Sequence, residues 1–375
     1  MKTSVIKKIK VLHVVPALEA GGIETLLSNI LESFDRNKFE FSFITHKGTG
    51  LIFEKLISST NIYVVCPKRV SFFEHVKGFL RVINRNKFDI IHIHQGNSSL
   101  VSLLLAWFSC IKIRIVHCHS CDAYNSFFNK IKFRINSNLI NLLGTTFVAC
   151  SNEAAVNQFG ERLVIKNKVW IMKNAINLEQ FHHDSKVAIK YRNELHIKEK
   201  YIIGMIARFS LEKNHDFSLS VFEEIARLSE DFHFVFIGDG VLLDSFKVRV
   251  SHSSISEKIT FLGNRDDVAG LLSVFDAILI PSLSEGFGIV AVEAQACGIM
   301  CFVANNLSRD ICLTDLVRYL SLDAGPEYWC NEILRSLPYK KYDRTDELKL
   351  AGFEIRDTAN LLMKYYYKQI LKYGK

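Results

Sequence analysis

At 375 residues the chain is too long for one ordinary hydrophobic core, so two domains are expected. Its 49% hydrophobic and 23% charged residues are those of a soluble globular protein, and its nine scattered cysteines suit a reducing compartment rather than a disulfide scaffold. The net charge of +8 is uneven: residues 1–185 hold 23 Lys+Arg against 13 Asp+Glu, and the remainder 24 against 26. A basic first half suggests an anionic partner, lipid headgroups or a phosphorylated substrate. Nucleic acid is the weakest choice, because no nucleic-acid module is recognisable.

Lys7, Lys8 and Lys10 lead straight into a strand, which does not read as a signal peptide. The longest apolar run, residues 100–111, is broken by Ser102 and Ser109 and falls short of the ~18–20 residues of a membrane span. A cytoplasmic protein is expected, or a peripheral one at the inner face of the membrane.

In chain order, residues 11–15 read as a buried strand, and Gly21-Gly22 as a strand-to-helix turn where backbone meets a ligand. Strands at 39–45 and 62–66 and helices at 53–58 and 73–84 follow. Residues 89–96 and 114–120 are strands whose polar residues gather at their C-terminal ends, where open α/β sheets bind ligands. A helix at 100–108 separates them. This alternation predicts a doubly wound parallel sheet.

His92, His94, His117, Cys118, His119 and Cys121 form the one constellation that suggests zinc. Strand neighbours one or two apart are expected to face opposite ways, which speaks against convergence, and no metal is expected. His119, last in its strand, is the expected active residue; His92 and His117 read as satisfied interior histidines. Residues 124–143 interleave Phe127, Phe128, Ile131 and Phe133 with Lys130, Lys132 and Arg134. This is either a helix packing its phenylalanines inward or a segment lying among lipid headgroups. Strands at 147–151 and 169–172 close this half, and the charged stretch 184–200 is the expected linker.

A second alternating series starts at residue 201. Arg208 and Lys213 emerge at the end of its first strand, where two cations could hold a diphosphate. Asp216 is expected to cap the helix at 217–228. Strands at 233–238 and 259–262 and helices at 242–250 and 268–275 follow. The series leads to the most informative stretch, residues 276–298, where a short apolar run ends at Pro281. Glu285-Gly286-Phe287-Gly288 forms a turn, and residues 289–296 a helix stopped by Gly298. Free N–H groups and the helix dipole at such a turn favour an anion. Glu293, expected ~10 Å along the axis, would reach an attached ribose. Among small apolar neighbours its carboxylate needs a donor, either a sugar diol or a buried Arg. Residues 352–375 read as a long amphipathic helix.

Glu285-x7-Glu293 inside Ser-Glu-Gly-Phe-Gly resembles the signature of retaining glycosyltransferases of the GT-B fold. The group resembled most is often called glycosyltransferase family 4, which builds bacterial capsule, exopolysaccharide and O-antigen units. The likeness includes Gly21-Gly22, His119, Arg208 with Lys213, Gly238-Asp-Gly240 and the run to Gly298. It implies an α/β GT-B fold of two Rossmann-like, doubly wound parallel-sheet domains: an acceptor-side domain at 1–185 and a nucleotide-sugar domain at 186–351. The helix at 352–375 would pack back toward the first domain.

The resemblance also implies site roles. Glu293 would bind the nucleoside, and Arg208, Lys213, Gly21, Gly22, Gly286, Phe287 and Gly288 the donor diphosphate. Glu285 and His119 would be the catalytic-site pair at the sugar. The implied reaction is retaining transfer of a hexosyl group from a UDP-sugar, or alternatively a GDP-sugar, to a lipid-linked saccharide. No cofactor is implied, and the absence of any Asp-x-Asp speaks against a metal-bridged diphosphate. The alternatives are a nucleotide-sugar hydrolase or epimerase of the same fold, or a non-catalytic sugar- or lipid-binding module.

Overall fold

Apolar runs of three to seven residues, rich in Ile, Val and Phe and closed by polar turns, form the strands of two separate parallel sheets. The computed structural model describes residues 8–19, 21–119 and 127–374. Residues 1–175 with 355–375 form one unit and residues 176–354 the other. The divisions thus lie ten residues before and three residues after those expected from the sequence.

The N-terminal sheet contains β1 (Ile9–Val14), β2 (Phe39–Thr45), β3 (Asn61–Val64), β4 (Ile90–Ile93), β5 (Ile113–Cys118), β6 (Thr146–Ala149) and β7 (Val169–Ile171). Their order is β3-β2-β1-β4-β5-β6-β7, so the winding reverses between β1 and β4. The C-terminal sheet contains β8 (Tyr201–Ile206), β9 (Phe232–Ile237), β10 (Ile259–Phe261), β11 (Ala277–Ile280), β12 (Met300–Ala304) and β13 (Val317–Leu320). It runs β10-β9-β8-β11-β12-β13 and reverses between β8 and β11. In such sheets the reversal opens a crevice at the strand C-termini.

Both reversals are tied by the same device. Asp89, just before β4, accepts the Lys10 N–H at 2.9 Å while its own N–H donates to the Lys10 carbonyl. Asp276, before β11, does the same to Ile202, its carboxylate accepting at 2.8 Å. Each aspartate satisfies an otherwise orphaned strand-end donor and fixes the central register.

The helix Ile355–Tyr373 belongs to the N-terminal unit. Ile355, Ala359, Leu362 and Tyr366 follow helical spacing and are buried against Leu27, Ile30, Phe34 and Phe39. The expected linker is instead the helix Ser185–Glu194, capped by Asp184, whose carboxylate accepts the N–H groups of Lys186 and Val187. Asp216 is not a cap: that helix starts at His215 after left-handed Asn214, and Asp216 pairs with Arg249 at 2.7 Å. The eight described cysteines are free, and no helix among the described residues is long and apolar enough to cross a membrane.

Candidate functional site

The C-terminal unit brings its predicted site residues to the β8/β11 reversal. Gly238 and Gly240 hold the loop after β8. A Cβ on Gly238 would lie 2.0 Å from the Ala207 carbonyl oxygen, and one on Gly240 2.4 Å from that of Phe209, both at positive φ. Phe209 is thereby pinned in the core, stacked 4.0 Å from His215, and neighbouring Arg208 is left exposed. No described residue forms an ion pair with Arg208.

Lys213 ends the short turn Leu211–Lys213, which is stitched to the loop after β11. Leu283 N–H donates to Glu212 O at 2.8 Å and the Asn214 amide to Pro281 O at 3.2 Å. The Lys213 ammonium meets Glu285 Oε2 at 2.6 Å, and Ser282 Oγ donates to Glu285 Oε1 at 2.8 Å. Two groups expected to serve different parts of a donor therefore hold each other. The ammonium has three donors, so Glu285 can orient it without exhausting it.

Gly288 is left-handed (φ 84°) and opens the helix Ile289–Ala296. Gly286 is exposed, while Phe287 is buried and stacks on Phe353 at 6.0 Å. The Phe287 side chain thus anchors the turn, and only its backbone can meet a ligand. The helix starts at Ile289 as expected, so Glu293, four residues on, lies ~6 Å along its axis; the expected ~10 Å overstated that rise. It is 8% exposed, and its carboxylate has neither an arginine nor any hydrogen-bond partner among the described residues. Burial pushes its carboxyl up to about 8. Gln295, two residues on, clips the helix down: its amide donates to Ala291 O and Ile311 O, and its oxygen accepts from Leu313 N, Thr314 N and Thr314 Oγ1.

In the N-terminal unit Gly21 caps the helix Gly22–Glu32 in an extended conformation, beyond β1. His119 follows β5 and is buried, its Nε2 2.8 Å from His94 Nδ1; His94 Nε2 is in turn 3.0 Å from His13 Nδ1. His92 Nδ1 bonds the Tyr366 hydroxyl at 2.7 Å, and the His117 ring lies tilted with its centroid 3.8 Å from that of His119. Burial lowers all five imidazole pKa values, His119 to about 4 and His13 to about 3, so they are neutral at pH 7.

These positions correct two expectations. Strand residues two apart share a face, so the pairs His92/His94 and His117/His119 converge rather than diverge. His117 is interior but not satisfied, since neither ring nitrogen has a partner among the described residues. His13 went unnoticed as a site residue although it directly faces His92 across β1 and β4. Cys121 lies outside the described residues.

Two doubly wound parallel sheets, each presenting polar groups at its own winding reversal, are the architecture of the GT-B class. "Glycosyltransferase Family 4" matches residues 20–180 and "Glycosyl transferases group 1" matches residues 188–315. The chain belongs to the family 4 type of GT-B glycosyltransferases and is a glycosyltransferase.

It is 26% identical over 370 residues to the Bacillus subtilis (strain 168) protein EpsF, a glycosyltransferase by its name, covering 95% of this chain and 96% of that one. It is 23% identical over 310 residues, 80% of each chain, to the Escherichia coli UDP-Gal:alpha-D-GlcNAc-diphosphoundecaprenol alpha-1,3-galactosyltransferase. The solved structure of Anabaena Alr3699/HepE with UDP-glucose has the same fold: TM-score 0.76 and 17% identity, over 96% of this chain and 100% of that chain.

Proposed function

We propose that the enzyme transfers a hexosyl group, with retention of configuration, from a UDP-sugar to a lipid-linked saccharide in bacterial surface polysaccharide synthesis. A GDP-sugar is the alternative donor. The observation that carries the reading is the β8/β11 cluster: among the described residues Arg208 is unpaired, Lys213 is held on Glu285, and Glu293 is buried without a side-chain partner beside the glycine turn. Arg208, Lys213 and the turn Gly286–Gly288 would meet the diphosphate, and Gly21 and Gly22 are assigned as further diphosphate-binding backbone. Glu293 would accept hydroxyl donors of the ribose, Glu285 those of the donor sugar, and neutral His119 would line the sugar site.

In the reaction the bond between the anomeric carbon and the phosphate oxygen breaks, and negative charge grows on the leaving diphosphate. The two cations and the backbone donors stabilise that charge without a metal. The acceptor hydroxyl attacks the same face, and its proton passes to the departing phosphate oxygen.

The acceptor reading draws on the E. coli relative, whose name specifies a diphosphoundecaprenol-linked sugar, and on the helix Phe127–Leu143. Phe128, Ile131, Ile135, Leu139 and Leu142 lie at helical spacing and are exposed, Phe128 by 80%, beside exposed Lys130, Lys132 and Arg134. Burial, and then the nearby charges of Arg69 and Lys132, lower the Lys68 pKa. The expectation of phenylalanines packed inward fails at Phe128; residues 124–126 and the Phe127 side chain lie outside the described part. An apolar stripe flanked by cations fits a peripheral contact with anionic lipid at the cytoplasmic face.

The test is product analysis with a panel of UDP- and GDP-sugars and a lipid-diphosphate saccharide. The reading expects an α-linked product from an α-configured donor. Release of free sugar alone, or of an epimerised nucleotide-sugar, would contradict it.

A further inference from the structure

The transfer reading uses one edge of a much larger histidine cluster. His13, His92, His94, His117 and His119 are all at least nine-tenths buried, and among the described residues four of their ring nitrogens have no hydrogen-bond partner, one each on His13 and His92 and both on His117, while His119 also meets the Asn174 side chain. Buried nitrogens normally find a partner, and leaving several orphaned in one place is costly unless something else satisfies them. Neutral imidazole is the commonest protein ligand for transition metals.

We propose that His94, His117 and His119 form a binding site for one divalent transition cation of the imidazole-preferring class: zinc, cobalt, nickel or copper. One ligand atom from each of the three lies within 4.8 Å of the others. A tetrahedral ion with metal–nitrogen bonds of ~2.0–2.1 Å needs nitrogens roughly 3.3 Å apart, so modest ring shifts close the site. His94 is already oriented for this. Its Nε2 is engaged by His13 Nδ1 at 3.0 Å, leaving Nδ1, now 2.8 Å from His119 Nε2, to turn to the ion. A ligating histidine held through its second nitrogen is the usual arrangement around such metals.

His13, His92 and His94 also approach one another within 4.8 Å. That trio lies deeper: His13 and His92 are inside β1 and β4, whereas His119 stands beyond the last residue of β5. Access and the two unpartnered nitrogens of His117 favour the outer trio. This binding site does not depend on the role of His119 in transfer.

The full-length protein, stripped with chelator, is titrated with Co²⁺ and followed by visible absorption. The expected result is a tetrahedral ligand-field band that saturates at one ion per chain and is displaced by Zn²⁺. His117→Phe keeps a ring in the stack and removes both nitrogens; it should abolish the band and weaken binding more than ~100-fold, beyond the loss typical of an outer-shell change. His252→Ala, at an exposed helix end, should leave the band unchanged.

X-ray absorption of the zinc-loaded parent supplies a readout free of folding effects and should give three imidazole nitrogens. No saturable band, or fewer than three imidazoles, overturns the proposal. Retention of the band in His117→Phe with loss in His92→Phe overturns the assignment by moving the ion to the deeper trio.

Discussion

The two units share topology, an aspartate clip at the winding reversal and a glycine turn after a central strand, yet their strand ends are chemically opposite. The N-terminal sheet ends β4 and β5 in neutral, buried imidazoles, so its polar groups are locked into the core. The C-terminal sheet ends β8 and β11 in formal charges near solvent, with the Lys213–Glu285 pair part-exposed and Arg208 open. Only Glu293 breaks the pattern, as an acid buried like the histidines of the other unit. One fold thus carries either a rigid wall or a charged receptor, decided by a handful of residues beyond the strands.

The contrast is broken most forcefully by pH. The buried histidines have folded pKa values below their unfolded value of about 6.5, so the unfolded chain binds more protons as pH falls. Their contribution is complete above pH ~6.5 and is lost downward, toward about 4 for His119 and about 3 for His13. Each tenfold difference in proton affinity between the folded and unfolded chain is worth about 1.4 kcal/mol. Denaturant melts between pH 7 and 4 should lose several kcal/mol. A flat profile would mean that the imidazoles are not held neutral.

Glu293 has the opposite sign. Its folded pKa of about 8 lies above the unfolded value, so it costs stability increasingly as pH rises from about 4.5 to 8. Glu293→Gln should therefore be stabilised relative to the parent at pH 9 by the order of 4 kcal/mol and much less at pH 5. It should also bind free UDP or GDP more weakly. Equal stability differences at both pH values would show that its carboxyl is not perturbed.

Much of this contrast was legible in the sequence. The helix Ile289–Ala296, its Gly288 start and Gly298 stop came from glycine placement and an apolar run, and the doubly wound halves from alternation. What stayed hidden was long-range pairing. Nothing local says that Lys213 will find Glu285 72 residues away, or that Tyr366 will reach His92 across 274. The helix Ser185–Glu194 was hidden by its charge, which reads as a linker until Asp184 caps it. The histidine convergence was missed through strand parity, information the sequence did hold.

A sharper division within the C-terminal site comes from Glu285→Gln. It should spare affinity for the free nucleotide yet impair sugar transfer, by about tenfold or more if two charge-assisted contacts are lost. Equal loss of nucleotide affinity in Glu285→Gln and Glu293→Gln would erase the assigned roles. The smallest effect is at the helix Phe127–Leu143, where each cation near an anionic surface contributes ~1 kcal/mol. The parent should co-sediment with anionic vesicles at low salt and be released by salt, and a Lys130/Lys132/Arg134→Gln triple variant should bind less. Identical sedimentation would remove this helix from the acceptor side.

The most direct test of the central claim is the turnover of Arg208→Ala in chelator-containing buffer. Arg208 is exposed and unpaired among the described residues, so its loss leaves the fold and the Lys213–Glu285 pair intact. Removing one preorganised cation from a developing diphosphate should lower transfer about 100-fold, roughly 3 kcal/mol, relative to the parent in the same buffer. Full activity in the variant would contradict a diphosphate held by side-chain cations at the β8/β11 reversal.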